Sequence, residues 1–337
     1  MTASPNKPAS SPSPRAKLRD NLRWYFGREW LRLLALVVCG VVARFPALGG
    51  QLIWDDEYLV RSNPFIKSPL LILETFRHYL FPDAFSPHYR PVQNVSYCFD
   101  YLVWRGEAYG FHISNVFWHV CAGLLLYRLL RCVFGDVEHR WQTGGLESPS
   151  QGAIASGIAF CVALLWLVHP VHSAAVDYIS GRADSLAACF ACGAWLLFLM
   201  ARKSGKTWHR VSLLVVATGL CLLALGSRES ACLWVAIFLV YLVTLERTLT
   251  VRARMLSFVA TLGLVAIYAG LRHLPSVQVQ GEAAAGTPWP VRFVLMFRAL
   301  GDYGRLLLFP INLHMERTLE APEALLGNAG WRHAITS

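Results

Sequence analysis

Apolar and polar positions along this chain fall into long alternating blocks. Apolar runs of about 16–20 residues recur, each near the length needed to cross about 30 Å of hydrocarbon as a helix. The pattern predicts spans over about 30–48, 111–134, 152–168, 185–201, 211–226, 230–245 and 255–271. A last apolar stretch, about 291–311, carries Arg292, Arg298, Asp302 and Arg305, and reads either as a span or as a re-entrant or interfacial helix. The predicted fold class is an all-α, polytopic membrane protein.

The polar blocks orient the spans. Lys17, Arg19, Arg23, Arg28 and Arg32 precede the first span, which predicts a cytoplasmic N-terminus. Residues 1–25 form a Ser/Pro/Ala-rich segment expected to be disordered, with no signal peptide ahead of the first span. The basic connections "RKSGKTWHR" and "ERTLTVRAR" are also expected inside. A first loop of about 49–110, "HPVHSAAVDYISGRAD", "SRES" and the loop after the seventh span then all face outward. Within the first loop, "SPLLILETFRHYLF" reads as an amphipathic helix lying at the interface. The expectation is an outward cavity roofed by the first loop.

Composition agrees with the blocks. Mean hydropathy is +0.41, and only 15% of residues are charged, against about 25% in soluble domains. The net charge of +10 sits largely at helix ends and in loops, where it sets orientation, so it carries no nucleic-acid signal. Eight of the nine cysteines lie in or beside apolar spans and Cys98 alone lies in a long loop, so no loop–loop disulfide is available. Cys189 and Cys192 form a C-x-x-C inside an apolar run and read as packing residues.

Candidate chemistry lies in the outward blocks. "WDDE" places Asp55, Asp56 and Glu57 directly after a span, where adjacent carboxylates are costly unless hydrated, paired or engaged. One carboxylate could serve as a general base tuned by its neighbour; the plain alternative is a solvated cap. Arg90 in "HYRP" suits a phosphate through bidentate bonds. His112, Asn115 and His119 share one helix face that lipid would reject. His169 and His172 sit three apart, too little to define a metal site, and no metal is expected. Arg182 could hold an anion or pair with Asp184, and "SRES" adds Arg228 and Glu229 at the same depth.

No nucleotide-binding motif occurs in the chain. An arginine-lined outward cavity suits a lipid-borne phosphate instead, whose tail partitions into the bilayer while its phosphate stays near the surface. "WDD", "YRP", "FHISN", "HPVHSAAVDYISGRAD", "SRES" and "YGRLLLFPINL" follow in one order. In this order the chain resembles the transmembrane and tetratricopeptide-repeat family of protein O-mannosyltransferases and its bacterial relatives, within the GT-C class of membrane glycosyltransferases. The resemblance covers roughly 50–315 and implies a GT-C-type bundle over 26–315 with a large first extracytoplasmic loop.

That resemblance implies inverting transfer of a mannose-like sugar from a polyprenyl-phosphate donor, dolichyl-phosphate mannose in eukaryotic members, to a protein hydroxyl. It implies Asp55 or Asp56 as the base, with Asp55 slightly ahead, and Arg90, Arg182 and Arg228 as phosphate ligands. His112, Asn115, His169, His172, Asp184 and Glu229 would line the pocket. No cofactor beyond the lipid-linked donor is implied. The expected partners are the bilayer, the donor and a protein acceptor; nucleic acid is not among them. Because 316–337 reads as a short tail without repeats, the chain reads as a fragment, a truncated paralogue, or a partner of a separate repeat-containing subunit. Two departures stand out: the missing repeats, and Arg228 where the pattern suggests lysine. The competing readings are a non-catalytic scaffold or pseudo-enzyme, and a lipid carrier. The site would face outward from a bacterial cytoplasmic membrane, or into the ER lumen of a eukaryote.

Overall fold

The computed structural model describes residues 14–81, 88–141, 151–275 and 289–313. Of the start expected to be disordered over 1–25, residues 1–13 lie outside these residues, as do the core of the polar connection at 142–150, most of the loop after the seventh span and the tail at 316–337; residues 14–25, against that expectation, are helical. Among the described residues every regular element is helical, and the chain is an all-α polytopic membrane protein. Ten α-helices follow in order: α1 Pro14–Arg44, α2 Pro91–Trp104, α3 Ala108–Trp141, α4 Gln151–Val168, α5 Ser173–Val176, α6 Arg182–Lys203, α7 Thr207–Ser227, α8 Ala231–Thr244, α9 Val251–Leu271 and α10 Trp289–Leu308.

Among the described residues, four helical segments are long and apolar enough to cross a membrane: Glu29–Gly49, Ile179–Lys203, Thr207–Ser227 and Val251–Leu271. The pair Ile154–Val168 and Pro170–Val176, bent by 47°, makes a fifth if it is one span. The sequence pattern predicts seven or eight, and the difference has local causes. Helix α3 carries His112, Asn115 and His119 on one face, α8 has only 14 residues, and α10 keeps the four charges that made it ambiguous.

The helices pack as a chain of neighbours. Helix α3 sits centrally against α1, α4 and α6; α6 packs on α7; α7 and α8 meet α9. Small residues set the close approaches, as expected where dispersion rather than the hydrophobic effect holds helices together. Leu167 of α4 seats between Gly40 and Gly123: a Cβ on Gly40 would come within 2.9 Å of it, and one on Gly123 within 2.6 Å.

The block over 49–110 is built differently from the expectation. "SPLLILETFRHYLF" is no interfacial α-helix; it forms tight helical turns at Pro69–Leu71 and Glu74–Phe76, capped in part by Ser68. Leu70 and Leu73 stay exposed. The helix in this region is α2. Its proline at the first position supplies a preset φ and no stranded amide. Helix α2 buries Gln93, Asn94, Tyr97 and Asp100 on one face.

Candidate active site

One end of the bundle gathers the loops that follow α1, α4 and α7 and the start of α2. The stretch Val176–Gly181 runs through its centre and is bonded along both edges of its backbone. Asp56 accepts the amide protons of Ile179 at 3.2 Å and Ser180 at 2.8 Å. Asn115 Nδ2 donates to the carbonyls of Val176 at 3.1 Å and Tyr178 at 2.9 Å. Tyr97 Oη donates to the Ile179 carbonyl at 2.9 Å, and Gln93 Nε2 to the Ser180 carbonyl at 2.8 Å. Buried backbone groups need such partners, and here three separate segments supply them.

Asp55 and Asp56 are adjacent but unlike. Asp56 is fully buried, whereas Asp55 is exposed. Burial pushes the Asp56 carboxyl up to about 7, against the amide bonds from Ser180 and Ile179 that favour its ionised form. The Asp55 amide donates to Tyr178 Oη at 3.2 Å. Trp54 just before it has φ +50°, a left-handed conformation that is a genuine outlier for a bulky residue. Such strain persists only where surrounding contacts enforce it; here it turns Asp55 outward and Asp56 inward.

Arg182 is fully enclosed. Its Nη1 meets Asp100 Oδ2 at 2.5 Å, its Nε donates to Asn115 Oδ1 at 2.6 Å, and its Nη2 donates to the Phe111 carbonyl at 2.8 Å. Its guanidinium carbon lies 4.6 Å from the Tyr97 ring centroid. Every nitrogen has a partner, so this arginine ties α6 to α2 and α3 and presents no donor to a ligand. The alternative pairing with Asp184 is also absent: Asp184 pairs with Arg228.

Arg228 and Arg90 form a half-buried cationic group at this end. Arg90 Nε donates to Glu229 Oε2 at 3.0 Å, and His88 Nδ1 lies 3.5 Å from Glu229 Oε1. Burial alone would raise the Glu229 carboxyl; the His88 and Arg90 contacts outweigh it and hold the group near 2. Arg228 and Glu229 occupy the turn between α7 and α8, and Asp184 lies four residues after the Ser180 that Asp56 holds. Below the turn, an apolar cavity of about 400 Å³ runs between α6, α7, α8 and α9. Ala224 and Ala231, on either side of the turn, line it along with Trp195, Trp234 and Phe238.

The remaining candidates are brought to the same end but engaged in structure. His119 bonds the Leu167 carbonyl at 2.9 Å and stacks on Trp166. His172 lies against Trp166 and His119. His169 Nδ1 accepts the Val171 amide at 3.2 Å, so its Nε2 carries the proton that faces the Leu307 carbonyl at 3.1 Å. His112 is buried beside Gly50. Among the described residues no group of three or more His, Cys, Asp or Glu could hold a metal ion.

Comparison with known proteins gives one consistent relationship. The chain is 27% identical over 176 residues to protein O-mannosyl-transferase F38B6.6 of Caenorhabditis elegans, covering 51% of this chain and 23% of that protein. It is 25% identical over 237 residues to protein O-mannosyl-transferase Tmtc3 of Drosophila melanogaster, covering 66% and 26%. It is 31% identical over 176 residues to protein O-mannosyl-transferase TMTC1 of Mus musculus, covering 50% and 16%. The chain is a relative of the TMTC-type protein O-mannosyl-transferases. The match spans only 16–26% of the length of these TMTC-type relatives. No family model matches the chain, and no solved structure matches it.

Sequence reasoning missed Asp100, Gln93 and Tyr97. Their signal was present: residues 93, 97 and 100 fall at i, i+4 and i+7 directly after a helix-starting proline.

Proposed function

We propose that this chain is the membrane part of a GT-C-type glycosyltransferase. It moves a mannose-like sugar from a polyprenyl-phosphate donor to a protein hydroxyl, with inversion, on the outer or lumenal face. The observation that carries the reading is the placement of Arg228 and Arg90, at the turn that closes one end of an apolar cavity between α6 and α9. A phosphate held there leaves its lipid tail in the cavity and its sugar toward the acidic stretch.

In this reading Asp55 is the base and Asp56 is a positioning residue. The Asp55 carboxylate takes the proton of the acceptor hydroxyl as its oxygen attacks the anomeric carbon. The bond from that carbon to the phosphate oxygen breaks, and its electron pair leaves with the polyprenyl phosphate. Arg90 and Arg228 stabilise the departing charge. Arg182, expected from the sequence as a third phosphate ligand, instead ties α6 to α2 and α3. One observation favours the scaffold reading: Arg90 and Arg228 both already have a carboxylate partner.

The test is transfer from a radiolabelled polyprenyl-phosphate sugar in purified membranes, at matched expression. Asp55→Asn is expected to abolish transfer with no loss of folded protein, and Asp56→Asn to lose both in part. Parental transfer by Asp55→Asn removes it as the base. Absence of transfer by the parent with mannosyl and glucosyl donors alike favours the scaffold.

A further inference from the structure

The proposed chemistry leaves a second cavity unused. It has a volume of about 640 Å³ and lies between residues 51–67 and the α2–α3 junction. Its wall is mainly polar, unlike the cavity between α6 and α9. Glu57, Arg61, Lys67, Arg105 and Glu107 contribute to it, so three cations face two carboxylates. Arg61 pairs with Glu57 at 2.6 Å. Among the described residues no ion pair engages Lys67, Arg105 or Glu107.

The backbone adds an independent observation. Arg105 ends α2 with φ +56°, its amide bonded to the Tyr101 carbonyl at 2.9 Å. A left-handed helix terminus is where glycine or asparagine sits at least cost. Here an arginine occupies it and Gly106 follows at φ +101°. Trp54, directly before the acidic stretch, is strained in the same way at φ +50°. Of the three described non-glycine residues with positive φ, one directly precedes the candidate base and one lines this cavity.

We propose that this cavity is the acceptor-polypeptide cleft and that Lys67 and Arg105 bind an acidic side chain near the acceptor serine or threonine. The proposal rests on the transfer reading and deepens it. Glu57 lines the cavity and follows Asp56 directly, so a chain lying in the cleft passes beside the turn that carries Asp55. A polypeptide suits the wall better than a lipid phosphate does. Its amide protons can meet Glu57 and Glu107 while its carboxylate meets the cations, whereas a phosphate headgroup would meet the same two carboxylates as repulsion.

The experiment uses the full chain in phosphatidylcholine nanodiscs. Fluorescein-labelled Ser/Thr heptapeptides of equal length carry two glutamates, two lysines or only neutral residues, and binding is read by anisotropy. The glutamate peptide is expected to bind tightest, with about tenfold weaker binding to Arg105→Gly and to Lys67→Gln, as for loss of one charge-assisted bond. Arg105→Gly relieves the left-handed strain, so its loss of binding is not a folding defect. Equal binding of the three peptides, or an unchanged glutamate preference in both variants, overturns the proposal. So does a phosphatidylglycerol nanodisc that abolishes peptide binding while Lys67→Gln and Arg105→Gly restore it, which would make the cavity a headgroup site. Asp55→Asn separates the two readings: it is expected to keep peptide binding and lose transfer. Selective peptide binding by a parent that transfers no sugar leaves the cleft standing and removes the transferase.

Discussion

Asp184 and Arg228 form an ion pair that joins the first turn of α6 to the turn between α7 and α8. The pair sits beside the alanines that line the end of the apolar cavity. If Arg228 receives the donor phosphate, Arg228→Ala lowers kcat/KM by about 10–100-fold, the value of one charged hydrogen bond. Arg228→Lys keeps the charge, loses the fork geometry and is expected to stay within a few-fold of the parent. Parental kcat/KM for the alanine variant would take Arg228 out of the site.

The buried carboxyl of Asp56 should be visible in stability against pH. Burial raises it to about 7, well above the roughly 4 of an unfolded chain. Between these values the folded protein holds a proton that the unfolded chain releases, so this group's contribution to stability falls as pH rises through the window and is level above it. Thermal unfolding of the parent and Asp56→Asn at pH 5 and pH 8 checks this. The parent is expected to lose ground to the variant at pH 8; an equal gap at both values contradicts it.

Arg182 and Asp100 form a buried pair whose halves should fail separately. Arg182→Met leaves Asp100 enclosed with Ser114 as its remaining hydrogen-bond partner. Removing one member of such a pair costs on the order of 3–5 kcal/mol, whereas replacing both by apolar groups of similar volume is often tolerated. The double variant Arg182→Met with Asp100→Leu is therefore expected to recover part of the lost melting temperature. A double variant as unstable as the sum of its singles would show no coupling.

Gly181 tests the tight entry into α6. A Cβ there would lie 2.3 Å from the Ala174 carbonyl oxygen and 2.8 Å from the Ala175 Cα. Both are backbone atoms of α5 and cannot rotate away. Gly181→Ala should cost about 1–3 kcal/mol, as overpacking does, and displace the stretch that Asp56 and Asn115 hold. Measured thermal stability equal to the parent would mean that α5 shifts freely.

Hydrophobic blocks made the long helices legible, because a lipid-facing helix writes its length directly into the sequence. The shared face of His112, Asn115 and His119 was legible for the same reason, since helical spacing places them together and lipid excludes them. Pairing was not legible. Arg182 lies two residues from Asp184 in sequence, yet bonds Asp100 on α2, because both residues on α6 are helical and point to different neighbours. The pattern over 49–110 suggests a loop around a single interfacial helix over 68–81. Pro69 and its Ser68 cap break that segment into turns, while the real helix, α2, hides its polar face inward and so lacks the solvent-facing pattern expected of a surface helix.

A pocket lined by bare guanidinium groups would gather any anion from solution. Here Arg90 and Arg228 each carry a resident counter-ion, Glu229 and Asp184, so the resting group is electrically quiet. On the proposed reading, a phosphodiester would enter only by trading places with a side chain. Soluble phosphate gains little from that trade, because it brings charge but no tail to bury. Discrimination at such a site would lie in the exchange, not in attraction, and the displaced carboxylates would remain at hand to draw the arginines back once a bound lipid phosphate left.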